Sequence, residues 1–336
     1  MAIGGPSPRI LSVEGATSST GANIGRISEI LVISGHRDPV DRVRFHPTEA
    51  NCLCTSGLDS TVRLWDIRSG TERATGTIGV HSGKSATYLD FCGTGSSSHL
   101  AITERDGSVH VFDSRKLSSS SGSTRGGRTS SSKSMAISTF RIPGADVDAC
   151  IFSPSGKHLV AATTKKGEMV SDLKIWSWKE GSEVFDASIA KNSLYTVPAH
   201  TGPIFSMAFS PDGNKLATGS SDSIVGVWDV ATMCCTVSIT RRLKFIRSVA
   251  FSNDSKWLAN ANEEDGIDIS NAQTGNQVGC LQLRENPSMG QFGGADEIAF
   301  HPSSGHVLAC AKIPVGHLPS ASSQTAAVVI KCRISD

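Results

Sequence analysis

Along most of the chain, apolar and polar side chains alternate with a period of two, and Gly, Asp, Asn, Pro and Ser cut the alternation into short runs. That spacing predicts half-buried β-strands joined by tight turns. One apolar position recurs in a fixed setting. VRFHP, LDFCG, CIFSP, MAFSP, VAFSN and IAFHP place Phe45, Phe91, Phe152, Phe209, Phe251 and Phe300 at intervals of 46, 61, 57, 42 and 49 residues. Each phenylalanine is followed, after a turn, by a second run: LCTSG, LAITE, LVAAT, LATGS, LANAN and VLACA. A third follows as TVRLWD, SVHVFD, DLKIWSW, SIVGVWD, GIDIS and AAVVIKCRI. A fourth, less regular strand fits in each connection, as in TERATGTIG and TVSIT.

The shorter intervals match the roughly 40–45 residues of a four-stranded propeller blade. A single sheet of this kind cannot bury both faces, so stacking several around an axis is what stabilises it. The expected fold is therefore an all-β propeller in which six three-strand units are visible. RISEILVIS, just before His36, reads as a lone strand that completes the last blade and closes the ring. Residues 1–24 are expected to be a disordered tail and 25–336 the propeller.

With 32 basic and 31 acidic residues the net charge is +1, so no global field draws the chain to nucleic acid or an anionic membrane. Nine scattered cysteines suit reduced thiols packed as small hydrophobes. The first residues lack the apolar core of a signal peptide, and no apolar run is long enough to span a bilayer. A soluble intracellular protein is expected. Cys52-x-Cys54 lacks the spacing of a zinc clip, and no Gly-rich phosphate loop or Gly-x-Ser-x-Gly elbow occurs, so no catalytic, metal or cofactor site is expected.

Two units carry a fuller signature. His36 precedes Trp65-Asp66 with Thr55, Ser56 and Asp59 between, and His200 precedes Trp228-Asp229 with Thr218, Ser220 and Asp222 between. This resembles the WD-repeat family. The resemblance implies a buried hydrogen-bond network of His36, Ser56, Asp59 and Trp65, repeated as His200, Ser220, Asp222 and Trp228. The His–Asp pairs are therefore expected to be structural rather than catalytic dyads. Within that family three stretches resemble the WD-repeat subunits of the THO complex: SGHRDPVDRVRFHPTEANCLCTSGLDSTVRLWDIRSG, then AHTGPIFSMAFSPDGNKLATGSSDSIVGVWDV with RSVAFSNDSKWLANANEEDGIDISNAQTG, and EIAFHPSSGHVLACAK with the long turn IPVGHLPSASSQT. Propellers of that family have seven blades, and its first has no counterpart before His36. The resemblance implies a non-enzymatic nuclear scaffold in messenger-RNA packaging and export. Its partners would be other protein subunits, with RNA contact secondary and no membrane or small-molecule substrate. Trp65-Asp66-Ile67-Arg68 also resembles the motif by which WD-repeat substrate receptors dock on cullin-type ubiquitin ligases, which makes Arg68 the candidate of an alternative reading.

Two further candidate surfaces follow from the repeat. Four residues before each phenylalanine stand Asp41, Thr87, Asp148, Phe205, Arg247 and Asp296. Repeat register predicts that they line one solvated channel mouth, where the aspartates would favour a basic partner segment. By strand parity they share a face with the apolar residues two positions on. The second surface is the Ser-rich stretch 114–134. It carries Arg115, Lys116, Arg125, Arg128 and Lys133 without an acid and is expected to be a disordered loop able to hold RNA phosphates or an acidic partner.

Overall fold

The computed structural model describes residues 2–3, 9–14, 26–32, 36–38, 40–47, 49, 52–66, 76–79, 86–92, 99–104, 106–119, 136–177, 195–262, 266–282, 292–301, 304–314 and 327–331. Strands β1 (Ala2–Ile3), β2 (Arg9–Glu14) and β3 (Arg26–Val32) form a three-stranded sheet in that order. Five four-stranded antiparallel meanders follow. The first contains β4 (Val40–Phe45), β5 (Cys52–Gly57), β6 (Thr61–Asp66) and β7 (Gly76–Gly79). The second contains β8 (Tyr88–Phe91), β9 (His99–Thr103), β10 (Ser108–Asp113) and β11 (Ser138–Arg141), with helix α1 (Ser114–Ser119) between its last two strands. The third runs through β12 (Ala145–Phe152), β13 (His158–Lys165), β14 (Ser171–Ser177) and β15 (Tyr195–His200). The fourth comprises β16 (Ile204–Phe209), β17 (Lys215–Ser220), β18 (Val225–Asp229) and β19 (Cys234–Ile239). The fifth comprises β20 (Ile246–Phe251), β21 (Trp257–Asn262), β22 (Gly266–Asn271) and β23 (Gln277–Gln282). A last, three-stranded sheet holds β24 (Phe292–His301), β25 (Ser304–Pro314) and β26 (Ala327–Lys331).

The turn after several of the recurring phenylalanines has a common cause. A serine hydroxyl closes the loop by accepting the N–H of the residue five positions on: Ser153 from His158, Ser210 from Lys215 and Ser252 from Trp257. The third residue after that serine takes a left-handed conformation, at φ 66° for Gly156, 75° for Gly213 and 61° for Ser255. The phenylalanine motif is thus a hairpin signal more than a core signal: Phe91, Phe152 and Phe251 are buried, Phe209 and Phe300 only partly, and Phe45 is exposed.

The chain divides into two compact units, one made of Ala2–Ile10 and Ile30–Ala199 and the other chiefly of Leu11–Glu29 and His200–Asp336. In the first, Val62, Leu64 and Ile78 of one meander pack with Leu89, Leu100, Ile102 and Phe112 of the next. Val109, Val111 and Phe140 in turn meet Val147, Leu159 and Trp176. In the second, Val225, Val227 and Ile239 pack with Ile246, Val249 and Leu258. Polar bonds cross the same seams. Ser56 Oγ accepts the Ala86 N–H at 3.2 Å and Asp90 Oδ2 that of Phe152 at 2.8 Å. In the other unit Ser206 Oγ accepts from Val249 N and Ser248 Oγ from Ile298 N, both at 3.1 Å. Within each unit these meanders cover an apolar face of the next in sequence, the mutual burial that such sheets require.

Three expectations change. Complete four-stranded blades number five rather than six, because the β24–β26 sheet has no fourth strand among the described residues. The N-terminal strand does not complete that sheet: β3 belongs with β1 and β2, and β2, with its own apolar run RILSVE, lies inside the segment read as a tail. The Ser-rich stretch begins as helix α1. Asp113 caps it, its carboxylate accepting the Arg115 backbone N–H at 3.1 Å, which satisfies a donor a helix start leaves open.

Candidate functional site

In the first meander, β5 and β6 set Leu53 opposite Trp65, and two residues along β5 on the same face stands Thr55. The Trp65 indole donates to Thr55 Oγ1 at 2.8 Å, His36 Nε2 lies 2.7 Å from that hydroxyl, and His36 Nδ1 lies 2.9 Å from Asp59 Oδ1. The fourth meander repeats the chain: Trp228 Nε1 to Thr218 Oγ1 at 3.0 Å, His200 Nε2 to Thr218 Oγ1 at 2.7 Å, and His200 Nδ1 to Asp222 Oδ2 at 2.9 Å. A carboxylate accepts only, so Nδ1 carries the proton toward the aspartate. In the neutral imidazole Nε2 is then the acceptor for the threonine O–H, and in either state the threonine oxygen accepts from the indole.

The strand hydroxyl of this chain is therefore threonine, which corrects the choice of Ser56 and Ser220. Ser56 points to the opposite face, where it holds Ala86, and Ser220 lies two residues beyond Thr218 and donates to the Gly202 carbonyl at 3.0 Å. Thr–His–Asp in this order has the connectivity of a hydrolytic triad. Yet Thr55 and Thr218 are wholly buried, and each hydroxyl oxygen already accepts an indole N–H, so neither can approach a substrate. Burial alone would raise the Asp59 carboxyl, but hydrogen bonds from His36, Thr61 and the Arg37 N–H hold it at about 2. Asp222 is likewise lowered against its burial by His200 and the Ile224 and Thr201 N–H groups.

The fifth meander has no histidine and no tryptophan on its third strand, its one tryptophan, Trp257, standing at the start of the second, and a different cluster fills its interior. Ser270 stands opposite Leu258, where Trp228 stands opposite Leu216 in the fourth. Beside it the fully buried Asp268 collects donors from four directions: Arg241 Nη2 at 2.8 Å, Asn260 Nδ2 at 3.1 Å, Ser270 Oγ at 3.0 Å and Gln277 Nε2 at 2.6 Å. Burial works against its charge, but Arg241, Asn260 and Ser270 lower its pKa overall. Sequence reading saw here only the loss of Trp-Asp.

The residues four before each phenylalanine share a backbone feature that the parity argument missed. Asp41, Asp148, Phe205, Arg247 and Asp296 each fall at a register shift, where the first strand has one more residue than its partner. A bulge takes that residue out of the backbone register, so the simple two-residue alternation behind the parity argument does not run through it. Thr87 precedes its strand without a bulge and bonds Thr103 Oγ1 at 2.7 Å. Asp148 accepts the Thr164 hydroxyl at 2.5 Å. In the other unit the Arg247 guanidinium carbon lies 5.0 Å from the centre of the Phe205 ring. The side chains of Asp41 and Asp296 lie outside the described residues, as do Ile67, Arg68, Arg125, Arg128 and Lys133. Arg115 and Lys116 are exposed on α1, where Arg115 pairs with Asp113 at 3.1 Å. The structure brings together Phe205 and Arg247 and does not show the remaining mouth residues as one cluster. Among the described residues no group of three or more His, Cys, Asp or Glu is placed to hold a metal ion. Of the seven cysteines whose side chains are described, Cys54, Cys92 and Cys150 are packed inside, Cys52 is partly buried, and Cys234, Cys235 and Cys280 are exposed.

The family model "WD domain, G-beta repeat" matches residues 27–66 and 191–229, each ending on the indole–threonine–histidine–aspartate chain just described. The chain carries WD40 repeats. Each match covers the first three strands of the first or fourth meander together with the strand before it, and the four-stranded sheets between and after share the strand plan without the signature. Among curated proteins, this WD40-repeat chain is 27% identical over 254 residues to "THO complex subunit 3" of Arabidopsis thaliana, covering 76% of this chain and 68% of that one. It is 22% identical to "WD repeat-containing protein AAC3" of Dictyostelium discoideum over 68% of this chain and 41% of that one. It is 20% identical to "DDB1- and CUL4-associated factor 13" of the same organism over 76% and 70%.

Proposed function

We propose that this WD40-repeat chain is a non-enzymatic scaffold, a nuclear subunit of a THO-type complex that acts in messenger-RNA packaging and export. The observation that carries the reading is the extent of one likeness. The 254 residues similar to THO complex subunit 3 reach far beyond the two stretches the repeat model recognises, so the likeness includes blades without the common signature. The chemistry agrees with a scaffold, since the two triad-like clusters are sealed inside their sheets. Binding then falls to side chains that the bulges and connecting loops place outside the ladders, with rigid sheets behind them.

The relative named as a DDB1- and CUL4-associated factor favours a second reading, a ubiquitin-ligase receptor docking through Trp65-Asp66-Ile67-Arg68. Affinity purification of the tagged full chain with mass spectrometry separates the two. Recovery of other THO subunits, undiminished by Arg68→Ala, is expected. Recovery of a ligase adaptor instead, lost in Arg68→Ala, overturns the THO reading.

A further inference from the structure

The connection between β19 and β20 reads TRRLKF, and from Val230 to Asn253 the sequence has four basic residues, Arg241, Arg242, Lys244 and Arg247, and no acid. Its first arginine is fixed inward: Arg241 bonds Asp268, Ser270 and the Gly275 carbonyl. The loop is thus pinned at its base by a buried carboxylate, and at its other end Ile246 enters the core. Between these anchors the chain presents its apolar residues to water. Leu243 is 84% exposed and Phe245 44%. Arg247 lies between two rings, its guanidinium carbon 5.0 Å from the centre of Phe205 and 5.9 Å from that of Phe245. The result is a supported apolar projection, Leu243 beside Phe245, flanked by the exposed Lys244.

We propose that this projection docks an acidic protein segment whose own leucine or phenylalanine side chains receive Leu243 and Phe245. With Arg241 paired to Asp268, the charge of Arg242, Lys244 and Arg247 selects an acidic occupant, because ammonium and guanidinium groups attract carboxylates and repel a basic segment. The apolar part selects protein over single-stranded nucleic acid. A base-stacking platform needs open ring faces, whereas the Phe205 and Phe245 rings are tilted 57° to one another and each turns a face to Arg247. An exposed leucine gains nothing from a phosphate chain but loses its hydration against aliphatic carbon. This inference does not depend on the THO reading.

The test uses the full chain and a labelled synthetic peptide alternating Glu with Leu, a peptide of the same pattern with Lys for Glu, and oligouridylate, followed by fluorescence anisotropy at low salt. The Glu–Leu peptide is expected to bind, and Leu243→Ser/Phe245→Ser and, separately, Lys244→Glu are each expected to weaken it about tenfold, the scale of one modest contact. Both variants alter exposed residues, and their melting temperatures serve as the folding control. No binding of the Glu–Leu peptide, equal binding in both variants, or stronger retention of oligouridylate lost in the same variants overturns the proposal.

Discussion

Replacing Asp268 with alanine removes the single acceptor on which four donors of the fifth meander converge. Asn260 Nδ2, Ser270 Oγ and Gln277 Nε2 lose their bond, and so does Arg241. Arg241 has 34% of its side chain exposed and can turn to water, but Asn260 and Ser270 are buried and cannot. Each orphaned buried group costs about 1–3 kcal/mol. Breaking a buried ion pair from one side costs about 3–5 kcal/mol, so the loss is expected on the order of 4 kcal/mol. Urea unfolding followed by tryptophan fluorescence reads this directly, since Trp257 lies in the same sheet as Asp268. The midpoint should fall with the slope unchanged. Acidity supplies a second reading. The folded pKa is lowered, so the carboxylate stabilises the fold above its unfolded value of roughly 3.9 and loses that contribution as pH falls through the folded value. Asp268→Asn, which does not titrate, should show a shallower loss on acidification. A loss below about 1 kcal/mol in Asp268→Ala, within the range of an ordinary surface hydrogen bond, refutes the claim that this cluster takes the place of the missing indole.

Two other perturbations probe different bonds. Asp90 is pushed up to about 7, chiefly by burial, with the Phe152 N–H and Arg44 opposing only in part. A raised carboxyl pKa makes the folded state less stable as pH rises from about 4 to about 7, so Asp90→Asn, which keeps an acceptor for Phe152, should raise the melting temperature at pH 8 and leave it little changed at pH 4. Gly226 faces Thr218 and Trp228, and a methyl group there would lie 2.9 Å from both Thr218 Oγ1 and Trp228 Nε1. Gly226→Ala should therefore destabilise by about 1–3 kcal/mol as an overpacked site, and the chemical shift of the Trp228 indole N–H should move as its bond opens.

Much of the strand plan was legible because period-two alternation and a recurring Phe-turn motif are local signals. The His36–Asp59 and His200–Asp222 pairs came from the resemblance to the WD-repeat family, the histidines standing 29 and 28 residues before their tryptophans. What failed was non-local. Choosing Thr55 over Ser56 depends on which face β5 turns to Trp65, a matter of one residue of register. The bulges at Asp148, Phe205 and Arg247 exist only relative to a partner strand, so the sequence of the bulged strand alone does not mark them. The Asp268 cluster draws on the β19–β20 connection and on β21, β22 and β23, and no spacing rule links Arg241 to Asn260, Ser270 and Gln277. The closing role given to RISEILVIS overlooked RILSVE as an upstream partner.

The sheets resemble one another in strand plan but not in the polar chemistry inside them, and this explains why a repeat model recognises only two. In the first and fourth meanders a histidine from the incoming chain, His36 ahead of β4 and His200 at the end of β15, reaches a threonine and an aspartate. In the second, His110 lies 3.3 Å from Glu104 and 3.1 Å from Thr139 Oγ1. In the fifth, Arg241 reaches from the incoming loop to Asp268. In the first, fourth and fifth, the buried group ties the connection entering a sheet to strands already paired, because an unpartnered polar atom at that junction is penalised whatever its type. The requirement fixes that the atoms be satisfied and leaves open which residues satisfy them. A bulge residue stands outside the backbone ladder, so its side chain can change from Asp148 to Phe205 to Arg247 without altering that ladder, which makes these positions and the loops beside them the place where one such protein comes to differ from another in what it binds.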